Sequence, residues 1–169
     1  MSIELLAEKL VDSKKTCAFT GAGISVASGI PDFRSRGGLW DEYPPEKYGT
    51  IEAFIERPEE VWEFFLAVFY TLKDAKPSKG HISLAEMEQF DCLNHVITQN
   101  IDGLHQAAGS SRVTELHGSL DGMECLKCGY LAEQIDKVLN EASLCPKCNA
   151  FLKPSVVLFG EILPQDSYE

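Results

Sequence analysis

Four of the six cysteines in this sequence occur as two closely spaced pairs. Each pair has the spacing Cys-x-x-Cys, Cys125 with Cys128 and Cys145 with Cys148, and sixteen residues separate the pairs. Two thiolates on one tight turn can bind the same metal ion, and a second such turn completes a tetrahedron of four sulfurs. This arrangement is typical of structural zinc and leaves no coordination position for a catalytic water. An iron–sulfur cluster and a redox-active dithiol are the alternatives.

A glycine-rich turn follows an apolar run near the N-terminus. Residues 17–20 predict a buried strand that leads directly into GAGISVASGIPDFR, residues 21–34. Gly21 and Gly23 let the backbone turn tightly and approach a pyrophosphate, whose charge would meet the amides at the start of a following helix. Because the spacing departs from the usual G-x-G-x-x-G motif, an ordinary strand-to-helix turn is the alternative.

Further along the chain, polar residues come directly after two more apolar runs. Gln99, Asn100 and Asp102 follow the second run, and His117 follows the third. Open α/β sheets bind ligands at the carboxyl ends of their strands, so these side chains are expected in one crevice. A histidine there can act as a general base near neutral pH, although a lone histidine is more often structural. The convergence of three strand ends favours the functional interpretation.

Strands and helices alternate along the chain and would position these residues. Strands are predicted over residues 17–20, 95–98 and 113–116, and an amphipathic helix over the first eleven residues. The alternation indicates an α/β fold with a doubly wound, Rossmann-like parallel sheet. The cysteine pairs interrupt this rhythm in a small inserted zinc-ribbon module. The predicted division is therefore a Rossmann-like part, the ribbon and a return segment, at residues 1–122, 123–153 and 154–169.

The connection between the first two strands carries several helix signals. Residues 32–49 are rich in glycine, proline and charge, and predict a mobile loop. Helices are expected to begin at Thr50 and at Pro58, where proline suits the first turn. Ser78 is expected to cap a third helix. An apolar stripe on the second of these helices, beginning at Trp62, indicates core packing.

Composition and charge exclude two classes of partner. The 169 residues carry 26 acidic and 15 basic side chains, giving a formal charge of −11. Such a charge disfavours direct binding to nucleic-acid backbones, which requires a basic patch. The charge is compatible with attracting basic protein substrates, or reflects only solubility. No apolar run reaches the roughly 18–20 residues needed to cross a bilayer, so no membrane association is expected.

The location is expected to be cytoplasmic or equivalently reducing. Residues 1–11 lack the uninterrupted apolar core of a secretory signal. In such a compartment the two remaining cysteines, Cys17 and Cys92, are expected to be free thiols rather than a disulfide.

Five features together resemble the sirtuin family in their order and spacing. They are residues 21–34, residues 98–109, His117-Gly118, the paired cysteines, and Val-Val-Leu-Phe-Gly-Glu at residues 156–161. The match covers nearly the whole chain, and its joint specificity is high. The resemblance implies an NAD-dependent protein-lysine deacetylase, or deacylase, which gives nicotinamide, O-acyl-ADP-ribose and free lysine. An inactive zinc-ribbon interaction module and a mono-ADP-ribosyltransferase are the alternatives.

The resemblance also implies a role for individual residues. His117 would be the general base and Asn100 a second catalytic residue, while acylated lysine-containing proteins would bind at Val156, Phe159 and Gly160, and zinc at the four paired cysteines. The implied contacts to NAD are Gly21, Ala22, Gly23, Ser25, Ile30, Pro31, Asp32, Phe33, Arg34, Gln99, Asn100, Ile101 and Asp102. His81 matches a family position too, and is interpreted as helix-start packing.

Two further expectations come from the same resemblance. Family members continue after the Phe-Gly-Glu segment with more strands and with loops for the adenosine half of NAD, so a C-terminally truncated chain with part of the sheet missing is expected. Members that prefer acidic acyl groups resemble one another in a tyrosine and an arginine three residues apart. Here Phe65 and Val68 occupy those positions, which predicts a preference for small neutral acyl groups.

Overall fold

The computed structural model describes residues 2–33, 35–133 and 144–164. The strands are β1 Cys17–Thr20, β2 His95–Thr98, β3 Val113–Glu115, β4 Gly118–Glu124, β5 Leu131–Glu133 and β6 Lys153–Val156. The helices are α1 Ile3–Asp12, α2 Leu39–Glu42, α3 Pro45–Tyr48, α4 Ile51–Glu56, α5 Pro58–Leu72, α6 Lys79–Gln89 and α7 Leu104–Ala107. The predicted N-terminal helix and the first three strands are confirmed. β1 is not buried as predicted, because the described residues leave uncovered the face that carries Cys17, which is exposed, and Phe19, which is 64% exposed.

The first sheet is parallel, with the strand order β1-β2-β3. Cys17 pairs with His95 at one end of the first strand pair, and Thr20 pairs with Thr98 at the other. Thr98 pairs in turn with Glu115. Parallel neighbours require crossover connections, which are supplied by α2–α6 between β1 and β2 and by α7 between β2 and β3. The predicted α/β fold with a Rossmann-like parallel sheet is therefore confirmed.

Local caps explain where the crossover helices begin. The Thr50 hydroxyl accepts a hydrogen bond from the Ala53 amide at 3.1 Å, and Pro58 occupies the first turn of α5. Ser78 and His81 form a reciprocal capping box at the start of α6. These contacts confirm the helix starts predicted from the sequence, and the interpretation of His81 as helix-start packing.

Residues 32–49, which precede α4, contain more regular structure than the loop that their glycine and proline content predicts. It contains α2 and α3, each a single turn. The Asp32 carboxylate accepts hydrogen bonds from the Ser35 amide and hydroxyl, and the Trp40 amide donates to the Phe33 carbonyl. The Trp40 ring also lies between Phe33 and Phe64, with centroid distances of 5.0 and 5.7 Å. These aromatic contacts were not anticipated, and they give the segment a packed side.

The second sheet is antiparallel, with the order β5-β4-β6. It begins at Gly118 and ends at Val156, so it extends beyond the predicted limits of the ribbon at 123 and 153. The reason is that β4 and β6 are continuous strands that leave and rejoin the Rossmann-like part. The second sheet thus spans residues 118–156, and the division of the chain at 123 and 153 stays a prediction.

One apolar cluster packs α4 and α5 against the second sheet. Trp62 is buried, as its place in the apolar stripe predicts, and its indole nitrogen donates a 2.8 Å hydrogen bond to the Leu152 carbonyl just before β6. The buried members of the cluster are Ala53, Phe54, Val61, Trp62, Phe64, Phe65, Val68, Leu120, Met123, Cys125, Cys145, Leu152, Val156 and Leu158. Because α5 contacts both parts, the ribbon and the Rossmann-like part share this core.

The helices in the described ranges are too short or too polar to cross a bilayer.

The first residue of β4, Gly118, generates a stability prediction. Gly118 has φ +70°, and a Cβ there would collide with the Ser155 carbonyl oxygen of β6. Gly29 has φ +85° with no atom near its would-be Cβ, so it provides a matched control. We expect Gly29→Ala to cost about 1–2 kcal/mol of unfolding free energy, the ordinary cost of a left-handed residue. We expect Gly118→Ala to cost clearly more, because steric overlap is added. Equal losses in chemical denaturation would contradict the collision.

Candidate functional site

A cavity of about 570 Å³ lies at the carboxyl ends of the three parallel strands. A smaller cavity of about 30 Å³ adjoins it and shares Ala22, Phe33, Val68, Asn100 and Ile101 with it. The predicted site residues that line the larger cavity are Gly21, Ala22, Gly23, Asp32, Phe33, Gln99, Asn100, Ile101, His117, Val156, Phe159 and Gly160. Those that line only the smaller one are Ser25, Ile30, Pro31 and Asp102. Arg34 lies outside the described residues.

The glycine turn after β1 forms one wall of the larger cavity. Two short 3-10 turns, Ala22–Ile24 and Val26–Ser28, follow it where an α-helix start was expected. No atom lies within 4 Å of a Cβ placed on Gly23, so its backbone borders open space. A ligand phosphate can therefore approach the backbone closely here, as the sequence pattern predicts.

A buried hydrogen-bond network connects the first two strand ends. The Ser25 hydroxyl donates to the Asp102 carboxylate at 2.6 Å, and the Asn100 amide nitrogen donates to Ser25 Oγ at 3.1 Å and to the Gly21 carbonyl at 3.3 Å. Asp102 also accepts from the Leu104 amide at the start of α7. These bonds hold the Asn100 nitrogen inward, which leaves its side-chain oxygen available to a ligand.

His81 extends this network from α6. It is fully buried, and its Nδ1 accepts a hydrogen bond from the Ser78 amide at 3.1 Å. The proton therefore resides on Nε2, which faces Ser25 Oγ at 3.5 Å. Burial lowers the pKa of His81, against the raising effect of the Asp102 carboxylate. The ring is thus neutral at physiological pH and serves both the helix cap and the crevice.

A second buried histidine lies against the first. The ring centroids of His105 and His81 are 4.7 Å apart, and His105 Nε2 lies 2.9 Å from the Thr20 hydroxyl at the end of β1. Burial lowers the pKa of His105, and the charge of a protonated His81 would lower it further, against the effect of Asp102. The two neutral rings therefore form a layer beneath the polar network.

His117 presents one nitrogen to the larger cavity. Its Nδ1 lies 2.9 Å from the carbonyl oxygen of Gln99. A carbonyl only accepts hydrogen bonds, so Nδ1 carries the proton and Nε2 is the basic nitrogen. This orientation is the one that a general base requires.

The far wall of the cavity is apolar. It combines the segment after β6 with one face of α5, where Phe65 and Val68 are each 3% exposed. The backbone of Phe159 is already used, because its amide donates to Gly49 and its carbonyl accepts from Ile51. Its role at the site therefore rests on the side chain, which is 55% exposed.

The four paired cysteines meet at a single point in the ribbon. Their sulfurs all lie within 4.8 Å of one another, with 3.4 Å between Cys125 and Cys148 and 3.5 Å between Cys128 and Cys145. A tetrahedron with Zn–S bonds of about 2.3 Å has sulfur–sulfur edges of roughly 3.8 Å. The donor set and its spacing therefore fit zinc.

The two cysteine turns share one backbone pattern. The Cys125 amide donates to the carbonyl five residues later, and the Gly129 amide donates back to the Cys125 carbonyl. Cys145 and Asn149 repeat both bonds, and Gly129 and Asn149 have φ of +69° and +60°. Each turn therefore presents its two thiolates in the same way, as the predicted paired site requires.

The model of the Sir2 family matches residues 21–169, which include both cavities and the metal site. The chain belongs to the Sir2 family. This confirms the resemblance to the sirtuins on which the site assignments depend.

Relatives of known name agree with this membership. An NAD-dependent protein deacylase 2 from Pyrobaculum aerophilum is 47% identical over 164 residues, which are 96% of this chain and 66% of the relative. The structure of a Sir2 homologue–NAD complex matches with TM-score 0.88 and 41% identity, covering 99% of this chain and 66% of the other. A third match, with TM-score 0.85, 38% identity and coverages of 98% and 67%, is Sir2 with an inhibitor, 2′-O-acetyl-ADP-ribose and deacetylated p53 peptide. The chain thus spans just under two thirds of the length of the Pyrobaculum relative and of the Sir2 homologue in the NAD complex.

Several residues of this Sir2 site escaped the sequence analysis. Trp40 and Gly49 line the larger cavity from the segment expected to be a mobile loop. Phe64 lines it from α5, where it lies outside the predicted stripe. For Trp40 the sequence offered one signal, a tryptophan in an otherwise polar loop, because an indole left exposed to water is unfavourable. Nothing in the sequence indicated Gly49 or the buried contact between Thr20 and His105.

The cysteine cluster generates a prediction about metal content. We expect one tightly bound zinc per chain by elemental analysis, and we expect Cys145→Ala to lose it and to unfold the ribbon first, since metal binding contributes folding energy there. Cys92→Ala is the control, because Cys92 lies outside the cluster and should retain full zinc content. Iron in freshly purified protein, or the absence of any metal, would contradict the assignment.

Proposed function

We propose that this protein is an NAD-dependent protein-lysine deacetylase, or deacylase, that releases nicotinamide and yields O-acyl-ADP-ribose and free lysine. The observation that carries the proposal is the meeting of polar and apolar walls in one cavity. His117 and Asn100 lie on the polar side, and the segment after β6 closes the apolar side. The names of the relatives support the same activity.

The polar wall suits the NAD half of the reaction. When bound, NAD would supply an electrophilic ribose carbon for the acyl oxygen of the substrate once nicotinamide leaves. Gly21, Ala22 and Gly23 would hold the phosphates through backbone amides. The free oxygen of Asn100, held by the bonds to Ser25 and Gly21, would accept a hydrogen bond from the nicotinamide amide or a ribose hydroxyl. Phe33 would cover the site, which keeps water from the reacting carbon.

His117 would move the proton. Its basic Nε2 would take a proton from a ribose hydroxyl, and the bond from Nδ1 to the Gln99 carbonyl would hold the ring in the correct tautomer while it does so. Removal of this proton is the contribution that His117 would make to moving the acyl group from the lysine to the ribose.

The apolar wall suits an acylated lysine. Its aliphatic stem would pass between α5 and the segment after β6. The substrate backbone would add as a strand to Gly160 and to the Val157 carbonyl, since the Phe159 backbone is occupied. Val156 and Phe159 would contribute side-chain contacts.

Location and partners form part of the same proposal. A reducing cytoplasm suits cysteines that act as metal ligands, and the formal charge of −11 favours basic protein segments over nucleic acid. Measuring nicotinamide release with and without an acetyl-lysine peptide tests the proposal. Release that depends on the peptide supports a deacylase, release without it indicates ADP-ribosyl transfer or hydrolysis, and none indicates an interaction module.

The tautomer of His117 leads to a kinetic prediction. His117→Ala in the full-length protein should reduce deacetylation by about 10²–10⁴-fold while NAD affinity is retained, because the base acts on the reaction path and backbone groups hold the phosphates. His95→Ala is the control, because His95 lies at the start of β2, away from the cavity, where its side chain forms a hydrogen bond with Thr114. A His117 variant retaining more than about a tenth of the activity would rule out this role.

The buried apolar pair on α5 leads to a prediction about the acyl group. Phe65 and Val68 offer no donor and no positive charge, so a succinyl carboxylate would be desolvated without a partner. We expect kcat/KM for acetyl-lysine peptides to exceed that for succinyl-lysine peptides by at least about tenfold, equivalent to ~1.4 kcal/mol.

A butyryl peptide is the matched control in that comparison, because it has the length of succinyl without the charge. Butyryl should remain close to acetyl if charge decides the preference. Equal or better efficiency with succinyl would show that another residue recognises the carboxylate.

A further inference from the structure

Lys153, the first residue of β6, is almost completely buried, with 2% of its side chain exposed. Its ammonium has four oxygen neighbours. It donates to the Val156 carbonyl at 2.9 Å and the Pro154 carbonyl at 3.2 Å, and it lies 3.2 Å from carboxylate oxygens of both Glu124 and Glu161. A lysine is rarely buried unless it is paired in this way.

The two carboxylates come from different parts of the molecule. Glu124 is at the end of β4 in the ribbon, next to the metal ligand Cys125. Glu161 is at the end of the segment that forms the apolar wall of the larger cavity. Glu161 is the more enclosed of the two, with 20% of its side chain exposed against 38% for Glu124. The Lys153 ammonium therefore connects the ribbon to the channel wall through a largely water-excluded contact.

The Glu161 carboxylate also fixes the turn within that wall. The oxygen that faces Lys153 accepts a 2.7 Å hydrogen bond from the Leu158 amide, and the Glu161 amide donates back to the Leu158 carbonyl at 3.1 Å. Phe159, inside this turn, bonds through its backbone to Gly49 and Ile51. The position of the turn thus depends on the ion pair between Lys153 and Glu161 and on the backbone hydrogen bonds of Phe159 to residues at the start of α4.

We propose that Lys153 is a positioning residue that sets the wall of the acyl-lysine channel by holding Glu161 and the Val156 carbonyl. This inference rests on the proposed function for the identity of the ligand, while the ordering of the turn does not depend on it. Without the ammonium, the Glu161 carboxylate would be left without its cation and the turn would shift. The binding of an acylated peptide would then weaken, whereas Gly21, Gly23 and Asn100 lie after β1 and β2, away from this turn, so the affinity for NAD would be unaffected.

The kinetic test uses the full-length, zinc-loaded protein with Lys153→Met, which keeps an unbranched side chain only one atom shorter and removes its charge. We expect KM for an acetyl-lysine peptide to rise by about tenfold or more, with KM for NAD and kcat within about twofold. Lys153→Arg, which restores the charge, should recover most of the peptide affinity. A merely structural role would lower kcat and the active fraction without raising the peptide KM, and that result would overturn the proposal.

Two glutamate variants provide the matched comparison and guard against poor folding of the lysine variant. Glu161→Gln should raise the peptide KM, and Glu124→Gln, which removes the partner on the side of the ribbon, should change it by less than twofold. Equal effects of the two variants would refute positioning through Glu161.

A further measurement separates this inference from the proposed function. Hydrogen exchange of residues 157–161 should accelerate in Lys153→Met, or in Glu161→Gln if the former does not fold, whether or not the protein turns over acetyl-lysine. Unchanged exchange in this segment would overturn the inference even if the protein is a deacylase. Accelerated exchange without any deacylation would leave the inference standing and the proposed function rejected.

Discussion

The in-register parallel pairing of three short strands determines where chemistry can occur in this protein. Thr20, Thr98 and Glu115 are partners across the sheet, so the chain leaves all three strands at one level. The glycine turn, the Asn100 region and the His117 region must therefore border the same space. A register shift of one residue in β2 would point Asn100 away from Ser25 and would break the buried network that connects the first two strand ends.

The ribbon is continuous with this arrangement rather than appended to it. β4 starts one residue after His117, and the His117 carbonyl accepts a 2.9 Å hydrogen bond from the Val157 amide just after β6. His117 and the segment after β6 are therefore joined directly by a backbone hydrogen bond. Trp62 adds a second connection from α5 to the residue before β6. Distortion of the ribbon would therefore reach both sides of the cavity through covalent and hydrogen-bonded paths a few residues long.

The sequence was informative where the physical cause is local. The strand runs, the caps at Thr50 and Ser78 and the cysteine spacing each reflect short-range rules, and the structure agrees with all of them. Hydrophobic and charge patterns gave no indication of contacts between distant segments. The stacking of Trp40 between Phe33 and Phe64 is such a case, and the use of the Phe159 backbone by residues 49–51 is another.

The limits of the second sheet also depend on pairing between strands that lie far apart in the sequence. The Gly118 and Val156 ends of the second sheet depend on the β4–β6 ladder, whose register becomes visible only when both strands are placed. The family resemblance supplied residue roles that spacing alone did not determine; these roles stay predictions, and the geometry gives some of them a physical basis. The tautomer of His117, for example, follows from one carbonyl that belongs to a residue eighteen positions earlier.

The capping box at His81 has a consequence for how experiments on this family member should be interpreted. One nitrogen of the ring holds the first turn of α6, and the other faces the hydroxyl that supports Asp102. Any replacement of this histidine therefore perturbs a helix terminus and the polar network of the crevice at once. Loss of turnover in such a variant is ambiguous between disorder and chemistry. An asparagine, whose side-chain oxygen can still accept from a backbone amide, would retain the cap more nearly than alanine, and so would allow the two contributions to be measured separately.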